Sequence, residues 1–469
     1  MTTTKRPVRV WTMQIVRSIS VLVLSALVFP LAAAVCLPCF LLTTVVHVLT
    51  KTRSEGHDDT RDRCVLVLSG AKSKALYLAR LFKAEGYRVV VAESSMYKMA
   101  AASFSRKVDK FYYLPRPDRD PQGYKSAILD IVSKHNPSLF VPIDPRTVDL
   151  DIEVISQLPN SCFPLACKPD VFEELDNKAK FMAALKKAGI RAPLTYHVTS
   201  KREAYDILKG KANNYVMKPV MYDNVARANV HPPENVNDLD QYLDDSRVSD
   251  TFPYVIQERL EGPELSSCSL VIGGEILAHT VSNCSPVHQT FNYVECPDIL
   301  EWLQQFLRSY PKIVTGWLTL DFMRSPENGK YYPLECNPRL GSPFMLFHQR
   351  QGVITRLQEA VDRIRKRGES GVGQQATGDR QSPLTPEVKQ NYWLLNVLWV
   401  LLTHPTNMAV WRKYVTMVLK GEESVFCVMD PLPFLALNFL QMPRLIVSNL
   451  LGGQTWNIVD YCIGTLKCV

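Results

Sequence analysis

The sequence predicts an α/β chain in which a Rossmann-like domain opens the folded part and a second domain of α+β lobes follows. Three observations carry that expectation. Between Cys64 and Asp144 short apolar runs alternate with helix-period runs, the pattern of βαβ units. Between Thr315 and Arg339 two strand-like runs flank a Pro, Asn and Gly cluster and carry acids on one face, the pattern of a β-hairpin with a polar site. Both ends of the chain are apolar, and the N-terminal run has no charge from Ser18 to Val46.

That first run, within a region spanning 1–60, is rich in Val, Leu and Ala, with Lys5, Arg6, Arg9 and Arg17 before it and Lys51 and Arg53 after it. It is long enough to cross a bilayer. It is also long for a signal-peptide core and ends at no small-residue cleavage site, which points to an uncleaved membrane anchor over 18–46. Pro30 and Pro38 either kink a spanning helix or turn a re-entrant hairpin, and basic residues on both flanks leave the orientation open.

Residues 61–160 read as the Rossmann-like unit. A strand from Cys64 to Ser69 leads through Gly70 to a helix over Lys74–Glu85 and a strand over Arg88–Ala92, and a helix over Tyr124–His135 precedes a strand over Leu139–Asp144. The turn after the first strand, Ser69-Gly-Ala-Lys-Ser-Lys, has one glycine, so a dinucleotide fingerprint is missing and NAD binding is not inferred.

Residues 161–365 form the second domain. Lys168 to Ile190 reads as a helix pair centred on Asp176-Asn-Lys-Ala-Lys-Phe, and Tyr215 to Val220 as a strand bearing Lys218 among apolar neighbours. A lysine in that setting needs an anion, and a nucleotide phosphate is a natural one. A strand over Tyr254–Gln257 runs into Glu258-Arg-Leu-Glu-Gly-Pro-Glu264, where a carboxylate after a Gly-Pro turn can accept hydrogen bonds from ribose hydroxyls. A strand pair hinged at Gly273-Gly274 follows, and His279 and His288 flank the region as candidate proton acceptors or as structural histidines.

The hairpin comes next. Period-two alternation puts Glu335, Asn337 and Arg339 on one face of its second strand. With Asp321 they make an oxygen-donor set suited to Mg²⁺, the alternative being a surface hairpin whose polar face is simply wet. A two-residue Asn328-Gly329 turn pairs Asp321 with Cys336, whereas a three-residue loop over Glu327–Gly329, with Gly329 left-handed, sets Asp321 opposite Glu335. The second arrangement is expected. Residues 366–388 are rich in Gly, Gln, Ser and charge and read as a linker. Residues 389–469 are apolar again and read as a helical appendage that packs on the core or dips into the bilayer interface beside the N-terminal anchor. Its Tyr392–Leu402 run is too short to span a membrane, and Pro431 and Pro433 interrupt the next.

Composition bounds the function. A formal charge of +8 over 469 residues, without a dense basic face interleaved with aromatics, argues against nucleic acid and is compatible with anionic small molecules or an anionic membrane. The twelve cysteines are scattered, and the one Cys-x-x-Cys pair, Cys36 and Cys39, lies in the apolar run, so a reducing compartment is expected. There the Asn283-Cys-Ser glycosylation sequon is a chance match.

With these residues in order, the stretch from Lys168 to Ala360 resembles the ATP-grasp superfamily of ligases. The resemblance implies a Rossmann-like pre-grasp domain followed by an ATP-grasp fold, binding ATP with Mg²⁺, or Mn²⁺ in its place. By it, Lys178 and Lys218 hold phosphates, backbone groups of Gln257, Glu258, Arg259 and Leu260 meet adenine, and Glu264 binds ribose. Asp321, Glu335 and Asn337 hold the metal. Arg339 and Lys218 are the implied catalytic residues, Arg339 steadying the transferred phosphoryl group or the tetrahedral intermediate. The loop after the Lys-Pro pair departs from the pattern: Val220 to Asn229 has no glycine, and Arg227 offers side-chain charge instead.

The apolar N-terminus, the Tyr-Asp-Asn-Val-Ala-Arg loop, the Glu-Cys-Asn-Pro-Arg strand and the Trp-bearing tail look most like the mycosporine-glycine synthase branch. The implied reaction activates an enol or carboxylate oxygen by phosphorylation and couples it to an amino acid, glycine with 4-deoxygadusol in that branch. A true carboxylate-amine ligase and a membrane-tethered nucleotide-binding protein without turnover remain as alternatives. An ATP-dependent body behind the anchor faces the cytosol.

Overall fold

The computed structural model describes residues 8–51, 63–144, 147–220, 230–283, 290–348, 350–369, 381–456 and 458–467. The apolar N-terminal run forms one helix, α1 (Val8–Lys51), which continues through Pro30 and Pro38 rather than turning back as a hairpin. The buried runs that follow build a parallel sheet: β1 (Cys64–Leu68), α2 (Ser73–Ala84), β2 (Arg88–Ser94), β3 (Lys110–Leu114), α3 (Pro121–His135), β4 (Leu139–Val141), α4 (Val148–Ile155) and β5 (Phe163–Pro164). Strand order is β3-β2-β1-β4-β5, all parallel, as in a doubly wound domain. Sequence reading missed β3, whose Lys110-Phe-Tyr-Tyr-Leu is an edge strand too polar to stand out, and β5, which is two residues long.

The second domain contains two separate sheets. After α5 (Pro169–Asp176) and α6 (Lys178–Lys187), β6 (Thr195–Val198), α7 (Lys201–Leu208), β7 (Tyr215–Pro219), α8 (Val236–Ser246) and β8 (Tyr254–Glu258) make a three-stranded antiparallel sheet, order β6-β8-β7. Helices α7 and α8 cover it with a core of their own, including Leu208, Met217, Leu239 and Ile256. Next come β9 (Glu264–Ile272), β10 (Glu275–Asn283), β11 (Thr290–Asn292), α9 (Pro297–Ser309), β12 (Gly316–Arg324) and β13 (Tyr331–Asn337). Of these, β10-β9-β12-β13 form an antiparallel sheet whose one face packs Leu318, Leu320 and Phe322 on Trp302 and Phe306 of α9. The opposite face carries Asp321.

A helix α10 (Val353–Glu369) leads to the tail: β14 (Gln390–Tyr392), α11 (Leu394–Thr403), α12 (Met408–Lys420), β15 (Glu422–Glu423), α13 (Leu432–Leu451), β16 (Ile458–Asp460) and β17 (Thr465–Lys467). The tail is not a purely helical appendage. Its β14 pairs with β11, and Trp393, Phe434, Met442 and Trp456 share one core with Val65, Leu76 and Phe344. Pro431 and Pro433 do not break the last apolar run. Pro433 sits in the first turn of α13, where its missing N–H costs no ladder bond, and the helix runs on through a π-helical turn at Leu437–Gln441.

Candidate active site

The site is built on the β12–β13 ladder. Asp321 is registered opposite Glu335, with Thr319 opposite Asn337. The loop is one residue longer than expected: Ser325 N–H donates to Lys330 O at 2.9 Å, so four residues, Pro326 to Gly329, turn the chain, with Gly329 left-handed at φ 68°. Continued evenly, that register sets Asp321 against Leu334. A bulge at Leu334 restores the acid pair, and it falls beside Pro333, which has no N–H to give the ladder.

Two like charges directly opposite on a sheet repel. Burial and the Glu335 carboxylate together push the Asp321 carboxyl up to about 7, against a 2.7 Å hydrogen bond from Ser266 Oγ. Glu335 is met by Lys178 Nζ at 3.2 Å and by Asn337 Nδ2 at 3.2 Å. Lys178 stands at the start of α6 because Asn177 caps that helix, its Oδ1 accepting from the N–H groups of Ala179 and Lys180, both at 3.0 Å. A helix N-terminus with a lysine on it attracts anions. Lys218 Nζ lies 3.3 Å from Gln257 Oε1, and burial pushes its ammonium below the ordinary lysine value.

These groups face one cleft of about 550 Å³ between the two sheets. Lys178, Lys218, Glu335 and Asp321 line one part, and the β8 exit from Gln257 to Leu260, with Glu264, lines the rest. The amides of Glu258 and Arg259 donate to Leu194 O and Asn214 O, so the backbone donors expected to serve adenine over Gln257–Leu260 are partly engaged inside the protein. The Gln257 side chain is buried and held between Lys218 and, at 3.5 Å, Leu334 O.

A divalent cation fits this donor set. Mg²⁺ takes one or two protein carboxylates and completes its shell with phosphate and water oxygens, and the raised Asp321 carboxyl is what a carboxylate pair short of positive charge produces. Among the described residues no cluster of three or more His, Cys, Asp or Glu side chains is arranged around a metal, so a cation here would need further ligands from outside the chain.

No family model and no curated protein sequence matches this chain. Solved structures do. The biotin carboxylase domain of 2-oxoglutarate carboxylase from Hydrogenobacter thermophilus, in complex with MgADP, ADP and bicarbonate, is 13% identical with a TM-score of 0.50, covering 68% of this chain and 71% of that one. The biotin carboxylase–β,γ-ATP complex from Campylobacter jejuni is 14% identical at the same TM-score, covering 64% and 70%.

The chain has the ATP-grasp fold.

Phosphoribosylamine–glycine ligase from Thermotoga maritima is also similar, at 19% identity and a TM-score of 0.49, over 69% of this chain and 78% of that one. At these identities the likeness concerns fold. The ATP-grasp sheets bring together Lys178, Lys218, Gln257, Glu258, Arg259, Leu260, Glu264, Asp321 and Glu335 in the cleft. Asn337 and Arg339 adjoin it through Glu335: Asn337 presents its amide nitrogen to Glu335 and its oxygen to Arg339, whose guanidinium also pairs with Asp176. Arg227 and His288 lie outside the described residues.

His279 is elsewhere. It is buried on the α9 face of the sheet, hydrogen-bonded to Ser269 at 2.8 Å, and burial lowers its pKa to about 4. That position removes it as a proton acceptor in the cleft. Three residues around the site escaped the sequence reading: Ser266, which holds Asp321; Asp176, which pairs with Arg339; and Thr319, whose Oγ donates to Arg339 O at 2.9 Å. Asp176 adjoins the Asn-Lys pair and was the most findable; the two hydroxyls carry no sequence signal.

Proposed function

We propose that this chain is an ATP-dependent carbon–nitrogen ligase. The observation that supports the reading is the juxtaposition of Lys178 and Lys218 with the Asp321–Glu335 pair in one cleft of the ATP-grasp fold. Mg²⁺ bound there would neutralise the phosphate tail and polarise the transferred phosphoryl group. The chain's residues do the rest: Lys178 and the α6 N-terminus draw the phosphates, and Lys218, partly starved of water, adds a second cation. Arg339, fixed by Asp176 and Asn337 beside Glu335, is the group we read as steadying the transferred phosphoryl group.

The overall reaction is ATP plus an acceptor oxygen plus an amine giving a C–N bond, ADP and phosphate. The acceptor oxygen takes the γ-phosphoryl group, and the amine nitrogen then displaces it as phosphate. No side chain need form a covalent bond. We read the acceptor as 4-deoxygadusol, whose enolised diketone is a vinylogous carboxylate, and the amine as glycine, giving mycosporine-glycine. The support for that choice is the sequence resemblance stated above. We read the cleft as cytosolic, where ATP is abundant.

Incubation of the purified chain with ATP, Mg²⁺, glycine and 4-deoxygadusol, followed by ultraviolet absorbance and product mass, tests it. Product from a plain carboxylate or another amino acid alone would retain the ligase and replace the substrates. Absence of ADP release with every acceptor, in wild type and Asp321→Ala alike, would favour nucleotide binding without turnover.

A further inference from the structure

Helix α1 is inside out. Its buried positions are Gln14, Ser18, Val21, Leu24, Ser25, Ala32, Cys36 and Thr43 among the described residues, mostly small or polar and all but Leu24 on one stripe. The rest of its surface exposes fourteen large apolar side chains between Met13 and Leu49, Leu27 at 70% and Leu31 at 72% among them. A helix on a water-soluble surface has the reverse arrangement. Helix α13 is apolar on both sides: it buries Phe434, Leu437, Met442 and Ile446 along with Asn438 and Gln441, and still exposes Leu440, Val447 and Leu451. In α12, Met408, Trp411, Val415 and Leu419 form an exposed stripe, while Met417 packs toward α11.

Charge points the same way. Across α1, α12 and α13 the sequence has seven Lys and Arg residues and no Asp or Glu, nearly the whole +8 excess of the chain. Apolar helices that carry only basic charge complement anionic lipid headgroups.

The contacts of α1 decide how such a membrane is met. Near one end, Gln14 Oε1 accepts from Trp456 N–H at 3.2 Å and Arg17 donates to Trp456 O at 3.0 Å. Near the other, Arg106 of the parallel-sheet domain donates to Thr43 Oγ at 3.2 Å and stacks over Phe40 at 3.8 Å. From residue 17 to residue 43 a helix rises roughly 39 Å, more than the ~30 Å hydrocarbon core. A crossing α1 would drag the body through the bilayer with it. Helix α13 is tied likewise, Gln441 bonding both Ala71 O and Ala101 N–H at 2.8 Å.

We propose that α1, α12 and α13 form a monotopic platform lying in the plane of an anionic bilayer, their apolar faces sunk in one leaflet, in place of a transmembrane anchor. The inference is independent of the ligase reading.

The test uses the full chain, purified in detergent and mixed with vesicles of phosphatidylcholine alone or with phosphatidylserine. Flotation with the vesicles is expected, stronger with phosphatidylserine, and weakened about fivefold by Trp411→Glu and by Leu419→Glu, two separate exposed-site changes that leave the melting temperature unchanged. Absence of flotation, flotation indifferent to both changes, or a soluble oligomer that ignores lipid overturns it. In sealed microsomes, epitope tags at both termini should be cleaved by external protease. A protected N-terminal tag means a crossing helix and overturns the in-plane arrangement.

Discussion

Asp321 and Glu335 face each other across β12 and β13 only because Leu334 bulges out of the ladder between them. The four-residue loop by itself would leave Asp321 opposite a leucine. Pro333 makes the bulge cheap, since the bond forgone there is one proline could not make. The result is a close carboxylate pair that the fold tolerates and a cation would relieve.

That pair makes stability depend on pH. The Asp321 carboxyl titrates at about 7 in the folded chain and near 4 when unfolded, so the folded chain holds a proton that the unfolded chain has lost between those values. Its stabilising contribution is whole below pH ~4 and is lost as pH rises through about 7, a change on the order of 4 kcal/mol. Asp321→Asn should therefore match wild type in thermal melts at pH 4 and exceed it at pH 8, and Mg²⁺ should narrow the gap at pH 8. Glu93 and Glu423 also titrate at about 7 but do so in both proteins, so the difference isolates Asp321. Parallel melting curves at both pH values would sink the assignment.

Lys178→Met and Lys218→Met should each weaken ADP binding by about 10- to 100-fold, or about 1.4–2.7 kcal/mol, in titration calorimetry. Their stabilities should diverge. Methionine at 218 removes a charge that burial disfavours, whereas methionine at 178 takes away the Glu335 partner. Nucleotide affinity unchanged in both variants would end the phosphate role.

Arg339→Lys tests geometry rather than charge. Lysine cannot hold Asp176 and Asn337 together as the guanidinium fork does. Acceptor-dependent ADP release should fall roughly 100-fold in kcat, with the KM for ATP nearly constant. A rise in KM alone would move Arg339 to nucleotide binding.

His279→Ala should leave kcat intact while lowering stability by about 1 kcal/mol, the Ser269 hydroxyl having lost its buried partner. Lost turnover at unchanged melting temperature would contradict its placement on the α9 face.

Gly262→Ala should damage the cleft mouth. A Cβ at Gly262 would sit 1.9 Å from Arg324 O, a backbone atom, so the β12 end must move. A loss of about 2–4 kcal/mol in denaturant unfolding is expected, together with weaker nucleotide binding through the displaced Glu264. Wild-type stability would show that the Gly-Pro turn has slack.

Much of this molecule was readable before folding because it is written in local signals. The βαβ alternation from Cys64, the apolar strand around Lys218, the Gly273-Gly274 turn and the acid alternation of Glu335 and Asn337 each depend on neighbours in the chain. What failed was set by distant partners. The loop length and the Leu334 bulge depend on how β13 meets β12. The exclusion of His279 depends on which sheet face it takes beside Ser269, and a polar edge strand such as β3 is recognised only by the β2 it joins.

The two ends of the chain divide the same way. Sequence alone determined that α1 is apolar and long enough to cross a membrane, because hydropathy is a sum over one segment. Tertiary structure decided which side of it faces the protein. Trp456 and Arg106 hold its two ends against one body, and burial of Ser18, Ser25 and Thr43 turns the leucines outward. Those contacts join residues hundreds of positions or a whole domain apart, and no periodicity within a single helix can encode the partner it packs against.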